Sequence, residues 1–136
     1  MNRVIKHLTA REIIYLHDRA IQEFGGLSGV ACPGKIEALI ARVVNHSIYE
    51  EVDDLHALAA MYCIAIARGH AFLDGNKRTA LNAAVLFFLR NGIRMHSVKG
   101  LDDIIVKVAI GELGWKELTA FFRKMPQDEI LLASNS

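Results

Sequence analysis

Along most of the chain apolar residues recur at helical rather than strand spacing. In LTAREIIYLHDRAIQEFGG, Ile13, Leu16, Ala20 and Phe24 return every three or four residues and set one apolar face on a helix. Thr9 and Glu12 stand at capping-box spacing, Leu8 occupies the staple position, and Gly25-Gly26 stop the run. GGLSGVACPG, with four glycines and a proline in ten residues, is a loop or at most a small hairpin. Pro33 suits the first turn of a second helix, whose inner face carries Ile36, Leu39, Ile40 and Val43. A third helix follows the acidic EEVDDL and runs through LHALAAMYCIAIARGH. TALNAAVLFFLRNG gives a fourth, apolar nearly all round and closed by Asn91-Gly92. IRMHS is short and extended, LDDIIVKVAIGE and GWKELTAFFRKM are helical, and PQDEILLASNS reads as a tail, mobile or loosely docked. No strand run is long enough to build a sheet. The expected fold is all-α, a compact single-domain helical bundle over 1–126 with a tail over 127–136.

Composition narrows the class. A chain of 136 residues that is 52% hydrophobic can bury a core without staples and is not mainly disordered. A formal net charge of +1 lacks the basic footprint of a nucleic-acid binder. Cys32 and Cys63 are isolated, with neither zinc spacing nor a disulfide framework, which fits a reducing compartment. The N-terminus shows no secretory signal, and the apolar run Ala57 to Ala67 falls short of the ~20 residues a membrane span needs. The expectation is a soluble cytoplasmic protein.

One segment breaks the apolar pattern. GHAFLDGNKRTALN, Gly69 to Asn82, gathers His70, Asp74, Gly75, Asn76, Lys77, Arg78 and Asn82 between two buried helices. The second of these helices is expected to start near Asn76, a good N-cap. Helix N-termini leave N–H groups unpaired and carry partial positive charge. Lys77 and Arg78 add cations where the helix dipole alone would favour acids, which points to a bound anion such as phosphate. Gly75 lets a ligand approach the backbone, Asp74 is placed as a Mg²⁺ ligand, and His70 can accept a proton near neutral pH. Asn82 falls one turn after Arg78 on the same face. Together these specify phosphoryl or nucleotidyl transfer to a hydroxyl. GNKRT is not a P-loop, because Asn76 separates Gly from Lys and no strand precedes it. The blander readings are a helix-end cation for Arg68, a structural pair for His17-Asp18, and inert core for Cys63.

HAFLDGNKRTALN resembles the Fic/Doc motif, His-x-Phe-x-Asp/Glu-Gly-Asn-x-Arg, and more closely its Doc branch, where Lys stands between Asn and Arg and Thr-Ala-Leu-Asn follows. LHDRAI, FGGLSG, PGKIEALIARV, YEEV, ARGH and FFLRNG extend the likeness over roughly 8 to 114. The resemblance implies the Fic/Doc helical fold with a short glycine-rich flap, Gly25, Gly26, Leu27, Ser28 and Gly29, that receives the target as an added strand. It implies His70 as general base, Phe72 as the residue that holds the loop, and Asp74 as Mg²⁺ ligand. Gly75, Asn76 and Lys77 would form the anion hole, with Arg78 on the nucleotide phosphates and Asn82 also binding nucleotide. The wider Fic pattern has Gly where Lys77 stands and a second Arg where Leu81 stands, and its members transfer AMP. Doc members share both departures and are similar to kinases that pass the γ-phosphoryl of ATP to a threonine of elongation factor Tu. The resemblance also implies an antitoxin whose C-terminal segment binds as a helix. The alternatives are AMP transfer at the same site, or a non-catalytic nucleotide- or peptide-binding protein.

Overall fold

The computed structural model describes residues 4–30 and 32–132. Their order is α1 (Ala10–Phe24), α2 (Pro33–Tyr49), α3 (Leu55–Gly69), α4 (Asn76–Arg90), β1 (Ile93–Met95), α5 (Leu101–Ala109), α6 (Trp115–Lys124) and β2 (Gln127–Glu129). The start of α1 is set by the capping box, in which the Thr9 hydroxyl accepts from the Glu12 N–H and the Glu12 carboxylate accepts from the Thr9 N–H. Leu8, the residue before the cap, is buried. Pro33 opens α2, and Ile36, Leu39 and Val43 are buried along its inner face. The Asp54 carboxylate caps α3 by accepting from His56 and Ala57.

α3 and α4 form the centre, packed on one another through Ala59, Ala60, Cys63, Ala80, Ala83 and Ala84 with Tyr62, Phe87 and Phe88 between the small residues. Small side chains let the two helices approach closely, and the Tyr62 and Phe87 rings meet with centroids 5.2 Å apart. α2 and α6 cover α3, and α1 covers α4. Cys63 is fully buried, and the loss of water pushes its thiol up to about 12, so it stays a neutral core residue. Arg68 at the end of α3 donates to the carbonyls of Val108 (2.7 Å) and Leu113 (2.5 Å) and ties that end to the α5–α6 turn.

Two expectations need correction. Phe24 does not join the buried face of α1; it is 60% exposed, and His17 occupies the core instead, beside Ile13 and Ala20. The segment read as a tail carries a strand: β2 pairs antiparallel with β1, Met95 opposite Gln127 and Ile93 opposite Glu129. Three polar residues give no strand signal, yet the ladder needs only main-chain groups. Gln127 fixes the join by donating to the carbonyls of Phe122, Arg123 and Met125 at the end of α6. Its side-chain oxygen lies 2.6 Å from the His56 ring. Beyond the strand, Leu131 is fully exposed and Leu132 lies against Gly92.

Candidate functional site

The polar segment is the α3–α4 connection. His70 caps α3 in the left-handed region, φ 51° and ψ 36°, a conformation that costs a non-glycine residue about 1–2 kcal/mol and needs the surrounding structure to hold it. Its side chain is exposed at the head of the loop. Ala71 and Phe72 then plunge into the core, and Leu73 and Asp74 return to the surface.

The loop is closed by Asn76 in a way the sequence did not suggest. Asn76 is the first residue of α4 rather than its N-cap, and its side-chain amide donates to the Phe72 carbonyl (3.0 Å) while its oxygen accepts from the Phe72 N–H (3.3 Å). The cap position falls to Gly75, at φ 76°, where only glycine is unstrained. An Asn side chain spent on both main-chain groups of Phe72 cannot also cap its own helix.

The first-turn N–H groups of Asn76, Lys77 and Arg78 have no hydrogen-bond acceptor among the described residues. The Gly75 N–H is used, donating to Asp74 Oδ1 at 2.8 Å. Asp74 to Arg78, with Leu81, line one wall of a cleft of about 300 Å³ whose other wall is Asp102, Ile105 and Val106 of α5. That volume is at the lower end for a small-molecule site, and polar and cationic groups converge on it. Arg78 lies 3.7 Å from Asp102 and sits over the exposed Phe24 ring at 4.6 Å. Lys77 is exposed beside Asp74. The structure thus brings Asp74, Gly75, Asn76, Lys77 and Arg78 into one cleft. His70 stands at the far end of the loop and Asn82 one turn deeper on α4, half-buried; neither lines it. An apolar groove between α2, α3 and the start of α6, lined by Leu39, Val43, Met61 and Trp115, shares no lining residue with this cleft.

The flap residues Gly25 to Gly29 are exposed and lie against the loop. Leu27 donates its N–H to Asp74 Oδ2 (3.2 Å), and Leu73 donates to the Gly29 carbonyl (3.4 Å). Val30 and Phe72 form a single antiparallel bridge, and Cys32 donates to the Ala71 carbonyl (3.4 Å). A Cβ on Gly26 would fall 2.6 Å from Asp74 Oδ2, so this glycine is what admits the carboxylate. The Leu27 N–H, then the Gly75 N–H, hold the Asp74 carboxyl below the usual carboxylate range. An exposed, ionised carboxylate with lone pairs to spare suits Mg²⁺, which takes one or two carboxylates beside phosphate oxygens and water. No cluster of three or more His, Cys, Asp or Glu among the described residues could cage a metal alone. No helix among them is long and apolar enough to cross a membrane.

Sequence reasoning took His17 only as a structural pair with Asp18, which lies 3.6 Å from it, and passed over Asp102. His17 is buried beneath the loop, with Nε2 2.7 Å from the Asp74 carbonyl and its ring stacked on Phe72. The signal was its place in line with Ile13 and Ala20 on the inner face of α1.

Comparison with known proteins agrees with this architecture. A sequence model described as the Fic/DOC family matches residues 7–88. The chain is 43% identical over 121 residues to "Protein kinase doc" of Escherichia phage P1, an alignment covering 89% of this chain and 96% of that protein. It is 36% identical over 93 residues to "Toxin Doc" of Mycolicibacterium smegmatis (strain ATCC 700084 / mc(2)155), covering 63% and 69% respectively.

Proposed function

The chain belongs to the Fic/DOC family, and from that premise we propose that it is a Doc-like toxin. It is a protein kinase that transfers the γ-phosphoryl group of ATP to a Thr or Ser hydroxyl of a translation factor, elongation factor Tu by resemblance. An antitoxin whose C-terminal segment docks as a helix holds it in check. The observation that carries the reading is the cleft wall itself: Lys77 in the first turn of α4, beside Asp74 and Arg78, with the buried Leu81 one turn on. AMP transfer as the resemblance describes it wants glycine and a second arginine at those two places. A lysine adds a full charge where a transferred phosphoryl group develops its own. The similarity to a protein named as a kinase supports the same choice.

In this reading the target hydroxyl oxygen attacks the γ-phosphorus, the bond to the bridging oxygen breaks, ADP departs, and the hydroxyl proton passes to His70. The free N–H groups of Asn76, Lys77 and Arg78, with the two cationic side chains, hold the phosphoryl oxygens. Asn82 contributes to nucleotide binding. Asp74 would hold Mg²⁺, which when bound neutralises phosphate charge. The exposed main chain of Gly25 to Gly29 takes the target segment as an added strand.

The test is incubation with cell extract, Mg²⁺ and ATP labelled at the γ- or the α-phosphate. Label entering a protein from the γ position alone, with a mass gain of about 80 Da, is expected. Label from the α position, with about 329 Da, would establish AMP transfer instead. Nucleotide binding without label from either would favour a non-catalytic protein.

A further inference from the structure

Beyond the groups that would meet nucleotide or target, one buried side chain reaches the loop's main chain from the opposite side. We propose that His17 is a positioning residue for the reaction: its ring fixes the turn from Phe72 to Gly75 and thereby aims Asp74 and the first-turn N–H groups of α4 into the cleft. The inference rests on reading that cleft as a phosphoryl-transfer site.

His17 is fully buried on α1 and makes three contacts with the turn. Its Nε2 lies 2.7 Å from the Asp74 carbonyl oxygen; a carbonyl can only accept, so Nε2 carries the proton. Its ring stacks on Phe72 with centroids 3.9 Å apart and planes 6° from parallel. A Cβ on Gly75 would meet the same ring at 3.6 Å, so the glycine and the imidazole are packed together. Flap and loop together hold the Asp74 carboxylate, through the N–H groups of Leu27 and Gly75, whereas His17 holds the Asp74 carbonyl.

Packing alone does not account for a histidine here. Nδ1 is buried with no hydrogen-bond partner among the described residues, and the nearest acid, Asp18, is 3.6 Å away. An apolar ring would fill the same space without leaving a polar atom unsatisfied. What the imidazole adds over such a ring is the Nε2 donor to Asp74.

Two substitutions separate the parts. His17→Phe keeps a ring on Phe72 and loses the donor; His17→Gln places an amide N–H near the Nε2 position and loses the ring. Phosphoryl transfer from ATP, with kcat and KM resolved, is measured alongside melting temperature and amide hydrogen exchange across residues 72–78. His17→Phe is expected to melt near the wild-type temperature, to exchange the loop amides ~10-fold faster or more, and to lose on the order of 100-fold in kcat/KM for ATP. His17→Gln should recover most of both. Wild-type transfer by His17→Phe, or His17→Gln no better than it, overturns the proposal, as do unchanged loop amides in His17→Phe. If the native chain transfers no label, the kinase reading falls, and the loop amides alone decide whether His17 fixes the turn. Should His17→Phe fail to fold, His17→Met, equally without a donor, takes its place.

Discussion

Asp74 and Asn76 are held in place by the loop's own main chain and by groups from α1 and the flap. Asn76 grips the main chain of Phe72, Asp74 takes N–H groups from Leu27 and Gly75, and His17 holds the Asp74 carbonyl. His70 is not so engaged; it is exposed in a strained backbone conformation at the loop's head, which suits a group that acts on the second substrate. His70→Ala should therefore leave nucleotide binding within about twofold while lowering transfer by 100-fold or more, the usual range for a lost general base. Calorimetry with Mg²⁺·ATP beside a label-transfer assay checks both halves, and surviving transfer would remove His70 from the chemistry. At this scale the sequence was readable where chemistry is local. Gly-Asn-Lys-Arg after a buried helix predicts by residue type alone a polar loop opening a helix, and the structure brings those residues into one cleft. The parts that were not readable depend on how the chain folds back: His17 meets a carbonyl 57 positions along the chain, and Asn76 turns to the main chain of Phe72, four positions before it, instead of capping its helix.

Among the elements, α1 is fastened to α4 at two levels. His17 works under the loop, and one end of the helix is fastened by Glu12, whose carboxylate pairs with Arg90 in the last turn of α4. The Arg90 side chain is the first cause of a depressed Glu12 pKa, with burial opposing it. Because the folded value lies below the unfolded one, about 4.3, the folded state binds the proton less readily. The pair's contribution is then fully present above the ordinary carboxylate range and is lost as pH falls through the depressed value. Glu12→Gln should remove about 1 kcal/mol at pH 7 and almost nothing in strong acid. Denaturant unfolding as a function of pH checks this, and a loss of equal size at both ends of the range would assign the effect to the capping box instead. Helices α1 to α4 were legible because each carries its own start or stop signal: Thr9 with Glu12, Pro33, Asp54, and Asn91-Gly92. β2 was not, since a three-residue strand of Gln, Asp and Glu has no periodicity to read and exists only through its neighbour.

For the whole molecule, that small sheet decides where the fold ends. β2 returns to β1, Gln127 closes the carbonyl end of α6, and Asp128 lies 2.6 Å from the His96 ring. A chain ended after Met125 loses all of these, and its melting temperature should fall by roughly 3–7 °C, the shift expected for one or two kcal/mol in a domain of this size. Differential scanning calorimetry of the two lengths tests it; an unchanged melting temperature would return the segment to a loosely docked tail.

The order of synthesis gives the late elements a further meaning. The ribosome makes the loop between α3 and α4 well before it makes α6, yet α6 is one of the helices that cover α3. Until residues up to 124 have emerged, one side of the central helix faces water and the loop sits on an unfinished base. The cleft on that loop therefore gains its full support only once the last of the six described helices has joined the others.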